Sequence, residues 1–146
     1  SYHCVVSVGD TLYGFGQNGS YEMSKMLAPQ QHNSPLKICK INKVFDSCVK
    51  QIETGLGYSL FLTENGCVYG SGSNRDGQLS FDNRHQKYDI TLINISNKII
   101  KINCAECTSF IMDIDGRIYS FGSNQFGILG INSSQLTDGI QHIKSA

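Results

Sequence analysis

An all-β fold built from about three repeated four-stranded units is what this 146-residue sequence predicts. Three observations predict it. One phrase recurs, as "LYGFGQNGSYEMS" at 12–24, "VYGSGSNRDGQLS" at 68–80 and "IYSFGSNQFGILG" at 118–130. Its tyrosines, Tyr13, Tyr69 and Tyr119, fall 56 and 50 residues apart, and Gly16, Gly72, Gly122 and Asn18, Asn74, Asn124 keep the same intervals. The apolar residues come in short runs bounded by turn chemistry, with no 3.6-residue stripe to mark an amphipathic helix.

Each element follows in order. "HCVVSVGDTLY" (3–13), "YSLFLTENGCVY" (58–69) and "TSFIMDIDGRIY" (108–119) read as strand, turn, strand, the first with one residue lost at its turn. Asn65-Gly66 and Asp115-Gly116 supply the positive φ of tight hairpin turns. Gly70, Gly72 and Gly122 fall within or at the end of strands, where a missing side chain permits close backbone approach. A polar loop follows, then "PLKICKI" or "ITLINI", and then "VKQIETG" (49–55) or its counterpart "IIKINCA" (99–105). The expected organisation is one segment, 1–146, with units of approximately 1–55, 56–105 and 106–146, the last incomplete. Four strands per period of 50 to 56 residues are the mark of a β-propeller blade. The absence of Trp disfavours WD-type repeats, and the absence of a Gly-Gly doublet disfavours kelch repeats.

Composition excludes several function classes. Twelve basic residues balance twelve acidic ones, and no Lys/Arg cluster stands out, so nothing argues for nucleic acid or an anionic membrane. No apolar run approaches the roughly 20 residues that span a bilayer. Cys4, Cys39, Cys48, Cys67, Cys104 and Cys107 share no disulfide-module spacing, which predicts reduced thiols and a cytoplasmic or nuclear location. Cys104 and Cys107 form one Cys-x-x-Cys without a second pair to complete a zinc site. His3, His32, His85 and His142 share no slot in the repeat, and "GFGQNG" lacks the strand-to-helix context and Lys-Ser/Thr of a phosphate loop. No catalytic residue, metal or cofactor is expected. The triplets at Asn18, Asn94 and Asn132 are read as chance glycosylation matches.

The repeat resembles that of the regulator of chromosome condensation family, whose pattern runs G-x-x-H-S-L-x-L-T, then D-G-x-V-Y-x-W-G, then N-x-x-G-Q-L-G. Residues 55–80 carry it best, through Gly55, Ser59, Leu60, Leu62, Thr63, Gly66, Val68, Tyr69, Gly72, Asn74, Gly77, Gln78 and Leu79. The third unit keeps Ser109, Asp115, Gly116, Tyr119, Gly122, Asn124, Gly127, Leu129 and Gly130; the first keeps His3, Tyr13, Gly16 and Asn18. Tyr58 and Thr108 replace the motif histidine, Phe15, Ser71 and Phe121 replace the tryptophan, and Ala105 replaces a glycine. The resemblance implies seven-bladed rings, against which this chain supplies about three blades and opens and closes in mid-repeat. A piece of a longer chain is therefore expected: a partial ring, or one completed by other chain segments or by further copies.

The loops 18–35, 74–89 and 124–139 occupy one position in each unit and differ in sequence. Variable loops on a rigid scaffold are where binding resides. Tyr21, Arg75, Asp76, Arg84, His85 and Phe126 are the candidate contacts, because charged and aromatic side chains carry interface energy. The expected function is a non-enzymatic scaffold presenting these loops to a protein partner. The alternative implied by the resemblance is a guanine-nucleotide exchange factor for a Ran-like small GTPase, acting within a complete propeller. A third reading is a structural section with no binding face of its own.

Overall fold

A computed structural model describes residues 2–81, 83–131 and 140–143. Three antiparallel sheets follow one another along the chain. The first holds β1 (His3–Val8), β2 (Thr11–Gly16) and β3 (His32–Lys40), and a single helical turn, α1 (Ile41–Val44), leads out of it. The second holds β4 (Val49–Gly55), β5 (Tyr58–Thr63), β6 (Val68–Gly72) and β7 (Lys87–Ile93). The third holds β8 (Ile99–Ala105), β9 (Thr108–Asp113), β10 (Ile118–Gly122) and β11 (Gln141–Ile143). Each sheet is ordered as the chain runs, so neighbouring strands are neighbours in sequence. The expected all-β blade architecture is the one observed.

The sheets are offset by one strand from the sequence units. Val49–Gly55 ends the first sequence unit, yet it pairs with β5 through Ile52↔Phe61 and Gly55↔Tyr58. Ile99–Ala105 pairs likewise with β9 and not with the strands before it. A sequence period has no starting point of its own; hydrogen bonding supplies one. The loops also prove shorter than expected at their ends, since His32–Pro35 of the first already belong to β3. Pro35 is tolerated there because β3 is the outermost strand of its sheet.

Alternation along β5 fixes how the sheets stack. Tyr58, Leu60 and Leu62 point to the third sheet and meet Ile102, Ile111 and Phe121 in one core. Phe61 points the other way, into a second core with Val5, Leu12, Met23, Ile38 and Phe45 of the first sheet and its helical turn. Every residue of β5 is therefore buried. Burying each such large side chain contributes about 1.5–3 kcal/mol, so contact between sheets carries more weight than any single hairpin. The Gln51 side chain adds a polar bridge, accepting from the Ile102 N–H at 3.1 Å and donating to its carbonyl at 2.7 Å.

Gly72 shows why the repeat demands glycine there. Its φ is +103°, and a Cβ would lie 2.4 Å from the Gly57 carbonyl oxygen. Gly16 and Gly122 repeat that approach to the Tyr2 and Cys107 carbonyls. Among the described residues no helix is long and apolar enough to cross a membrane.

Candidate partner-binding loops

The loop after the second hairpin strand begins the same way in every sheet. Asn18, Asn74 and Asn124 are buried, and their Oδ1 atoms accept from the backbone N–H five residues on, at Met23 (2.9 Å), Leu79 (2.9 Å) and Leu129 (3.0 Å). Their amide nitrogens donate across the loop, Asn18 to the Leu27 carbonyl at 3.0 Å, Asn74 to that of Asn83 and Asn124 to that of Ile131. A short polar side chain that both accepts and donates is the residue type for this task, which explains the Asn at each period. Two tight turns follow, closed from Tyr21, Gly77 and Gly127 N–H to the Asn carbonyls and from Ser24, Ser80 and Gly130 N–H to the residues three before them.

These turns need left-handed residues at two places. Gly77 and Gly127 fill the first at φ 79° and 73°, and Tyr21 takes the same slot at 56°. Gly130 fills the second at 69°, where Ser24 and Ser80 stand at 92° and 53°. The first loop is therefore the same turn written in less permissive residues, although its sequence reads as degenerate.

The first and second loops are also tied to the next sheet. Ser59 Oγ donates to the Glu22 carbonyl at 2.6 Å, and Ser109 Oγ donates to the Gln78 carbonyl at 2.7 Å. His3 Nε2 lies 2.8 Å from Ser59 Oγ. Because the serine proton goes to Glu22, the imidazole is the donor there, with its proton on Nε2. Tyr58, in the equivalent slot, lies 3.0 Å from Ser109 Oγ and donates to the Thr108 carbonyl at 2.7 Å. Burial holds the His3 imidazole down at about 4 and pushes the Tyr58 hydroxyl well up. The motif position thus joins neighbouring blades, and its type changes with the partner it meets.

The six candidate residues do not converge. Tyr21 is half-buried and packs edge-on against Tyr88, with ring centroids 4.8 Å apart. Arg75 and His85 are exposed along the second loop, and Arg84 is half-buried. Phe126 stands at the third loop's tip, 96% exposed. Of the six, only Asp76 lines a cleft of about 270 Å³ between the first and second loops, with Tyr2, Glu22, Gln78 and Cys107. Sequence reasoning missed Glu22, because its alignment with Gln78 is hidden in the divergent first loop. Burial raises the Glu22 carboxyl, whose Oε2 accepts from the Ser20 N–H at 2.7 Å. The tail of the third loop, 132–139, lies outside the described residues.

The Cys-x-x-Cys is not activated. Burial pushes the Cys104 thiol to about 12 and that of Cys107 to about 11, away from the reactive thiolate. Among the described residues no group of three or more His, Cys, Asp or Glu could hold a metal ion. The fold gathers three cations that the sequence spaces apart. Lys37, Lys40 and Lys43 line a single groove, where a strand edge and the helical turn after it bring them together.

Residues 49–78 match the family described as "Regulator of chromosome condensation (RCC1) repeat". Over 140 residues the chain is 40% identical to "Protein RCC2 homolog" of Danio rerio, covering 91% of this chain and 26% of that protein. It is 29% identical over 119 residues to "Secretion-regulating guanine nucleotide exchange factor" of Bos taurus, covering 80% of this chain and 24% of that one. Among solved structures it superposes on Prp20p of Saccharomyces cerevisiae with TM-score 0.79 and 19% identity, covering 99% of this chain and 37% of the other. The chain therefore spans about a quarter of the length of the Danio rerio and Bos taurus relatives.

Proposed function

We propose that this chain, which belongs to the regulator of chromosome condensation repeat family, is a scaffold that presents its blade loops to a protein partner. One observation carries the reading. Asn18, Asn74 and Asn124 hold three copies of one turn on a rigid frame, while the exposed tips differ from loop to loop. A frame that fixes the backbone and frees the tip lowers the ordering cost of binding. Arg75, Arg84, His85 and Phe126 are the proposed contacts, Asp76 shapes the cleft beside them, and Tyr21 positions its loop through Tyr88. Reduced thiols and a nuclear or cytoplasmic setting belong to the same proposal.

The test is affinity enrichment with the chain and with Arg75→Ala/Arg84→Ala/Phe126→Ala, once circular dichroism shows that the variant folds. Loss of the same captured proteins supports the reading. Capture unchanged by all three substitutions sinks it and favours a structural section without a binding face.

A second reading is nucleotide exchange on a small GTPase, favoured by the name of the Bos taurus relative and by the reported binding of Prp20p to Gsp1p. Exchange requires tighter binding to the empty GTPase than to the loaded one, and linkage then lowers nucleotide affinity by the same factor. Release of a fluorescent GDP analogue from a Ran-like GTPase, with and without the protein, measures it directly. A release rate unchanged at saturating protein removes this reading.

A further inference from the structure

A concavity lies at the rim between the first and second sheets, apart from Arg75, Arg84 and Phe126. It is an open groove of about 640 Å³, walled by β3 and α1 on one side and by β7 and the first loop on the other. Its apolar contribution comes from Met26, Ile38, Val44 and Ile90. Met26 is 66% exposed at its edge, an adaptable side chain left in water. Lys37, Lys40 and Lys43 follow one another along the β3 side.

The charges here do not cancel. Asp89 pairs with Lys25 at 2.8 Å, and Asp10 pairs with Lys40 at 2.6 Å. With those acids engaged, Lys37 and Lys43 give the wall a net positive charge on a chain whose total is zero. Both walls also end in the outermost strands of their sheets, which offer backbone groups to an extended chain. No aromatic side chain among the described residues lines the groove for base stacking, so nucleic acid fits poorly.

We infer that this groove receives an extended acidic segment of a protein partner, its apolar side chain seated against Met26, Val44 and Ile90 and its carboxylates facing Lys37 and Lys43. Arg75, Arg84 and Phe126 contribute nothing to the groove, so this inference and the loop reading fail separately.

The test is fluorescence anisotropy with a fluorescein-labelled peptide of alternating Glu and Leu, beside an all-Glu peptide of equal length and a single-stranded DNA of similar charge. The Glu/Leu peptide binds saturably and more tightly than either control. Lys37→Glu/Lys43→Glu weakens it about tenfold or more, as does raising the salt well above physiological strength. Met26→Ser, which adds no charge, weakens it at unchanged salt dependence. Should the double variant unfold by circular dichroism, Lys37→Gln/Lys43→Gln carries the same test. Absence of saturable binding, equal binding of the all-Glu peptide or of DNA, or binding indifferent to both lysine variants overturns the inference.

Discussion

Phe126 combines two features that oppose each other unless something binds it. It is 96% exposed and sits at φ 62°, a left-handed conformation that a bulky side chain rarely adopts. Strain of this kind persists where function keeps it. Phe126→Gly should remove about 1–2 kcal/mol of left-handed strain and add about 0.5–1 kcal/mol of backbone entropy cost. The net expectation is a gain of about 0.5–1 kcal/mol in urea unfolding together with weaker partner capture. Lower stability in the variant would show that the residue packs. His3 gives a second prediction at this scale. Burial holds its folded value at about 4, against about 6.5 unfolded. The stability of the neutral ring is complete above pH 6.5 and is lost as pH falls towards 4, by up to about 3 kcal/mol. His3→Gln should flatten the difference between urea midpoints at pH 7 and pH 5; an equal difference in both proteins would assign it elsewhere.

At the scale of the strand, equivalent positions in β5 and β9 make an internal comparison. Leu60 and Phe110 occupy the same slot, but Leu60 is fully buried between two sheets while Phe110 is half-buried on the outer face of the third. Leu60→Ala should cost about 2–5 kcal/mol, the usual range for a core truncation. Phe110→Ala should cost clearly less, about 1–2 kcal/mol at that burial. Equal costs in thermal denaturation would mean that both faces of the third sheet are packed. Gly72→Ala should be worse than its size suggests. Its Cβ meets a backbone carbonyl, which cannot move without opening the hairpin.

Across the whole molecule the same alternation leaves two outer sheet faces. Phe110, Met112 and Ile118 of the third sheet stand where the second buries Leu60, Leu62 and Val68, and Ile118 is 43% exposed. Cys4, Val6 and Val8 form the opposite face, where the second sheet buries Ser59, Phe61 and Thr63; Val8 is 63% exposed. Unpartnered apolar sheet faces favour association. Light scattering of the chain should show mass rising with concentration, and Phe110→Lys/Met112→Lys should suppress the rise. A constant monomer mass in both proteins would count against self-association.

How much was legible follows from the range of each constraint. The positive-φ glycines at 66, 72, 77, 116, 122 and 127, the anchoring asparagines and the strand alternation are demands a residue makes on its own backbone and near neighbours. The sequence alone therefore determined the blade, the four strands of the second and third sheets and the point at which each loop begins. Tertiary structure decided what depends on distant partners. It moved Val49–Gly55 into the second sheet, turned Tyr21 onto Tyr88, and matched His3 and Tyr58 to the serines of neighbouring blades. It also gathered Lys37, Lys40 and Lys43 along one wall of a groove closed by β7, some fifty residues further along the chain. A turn is written in its own residues; a surface exists only once separate strands have been packed to make it.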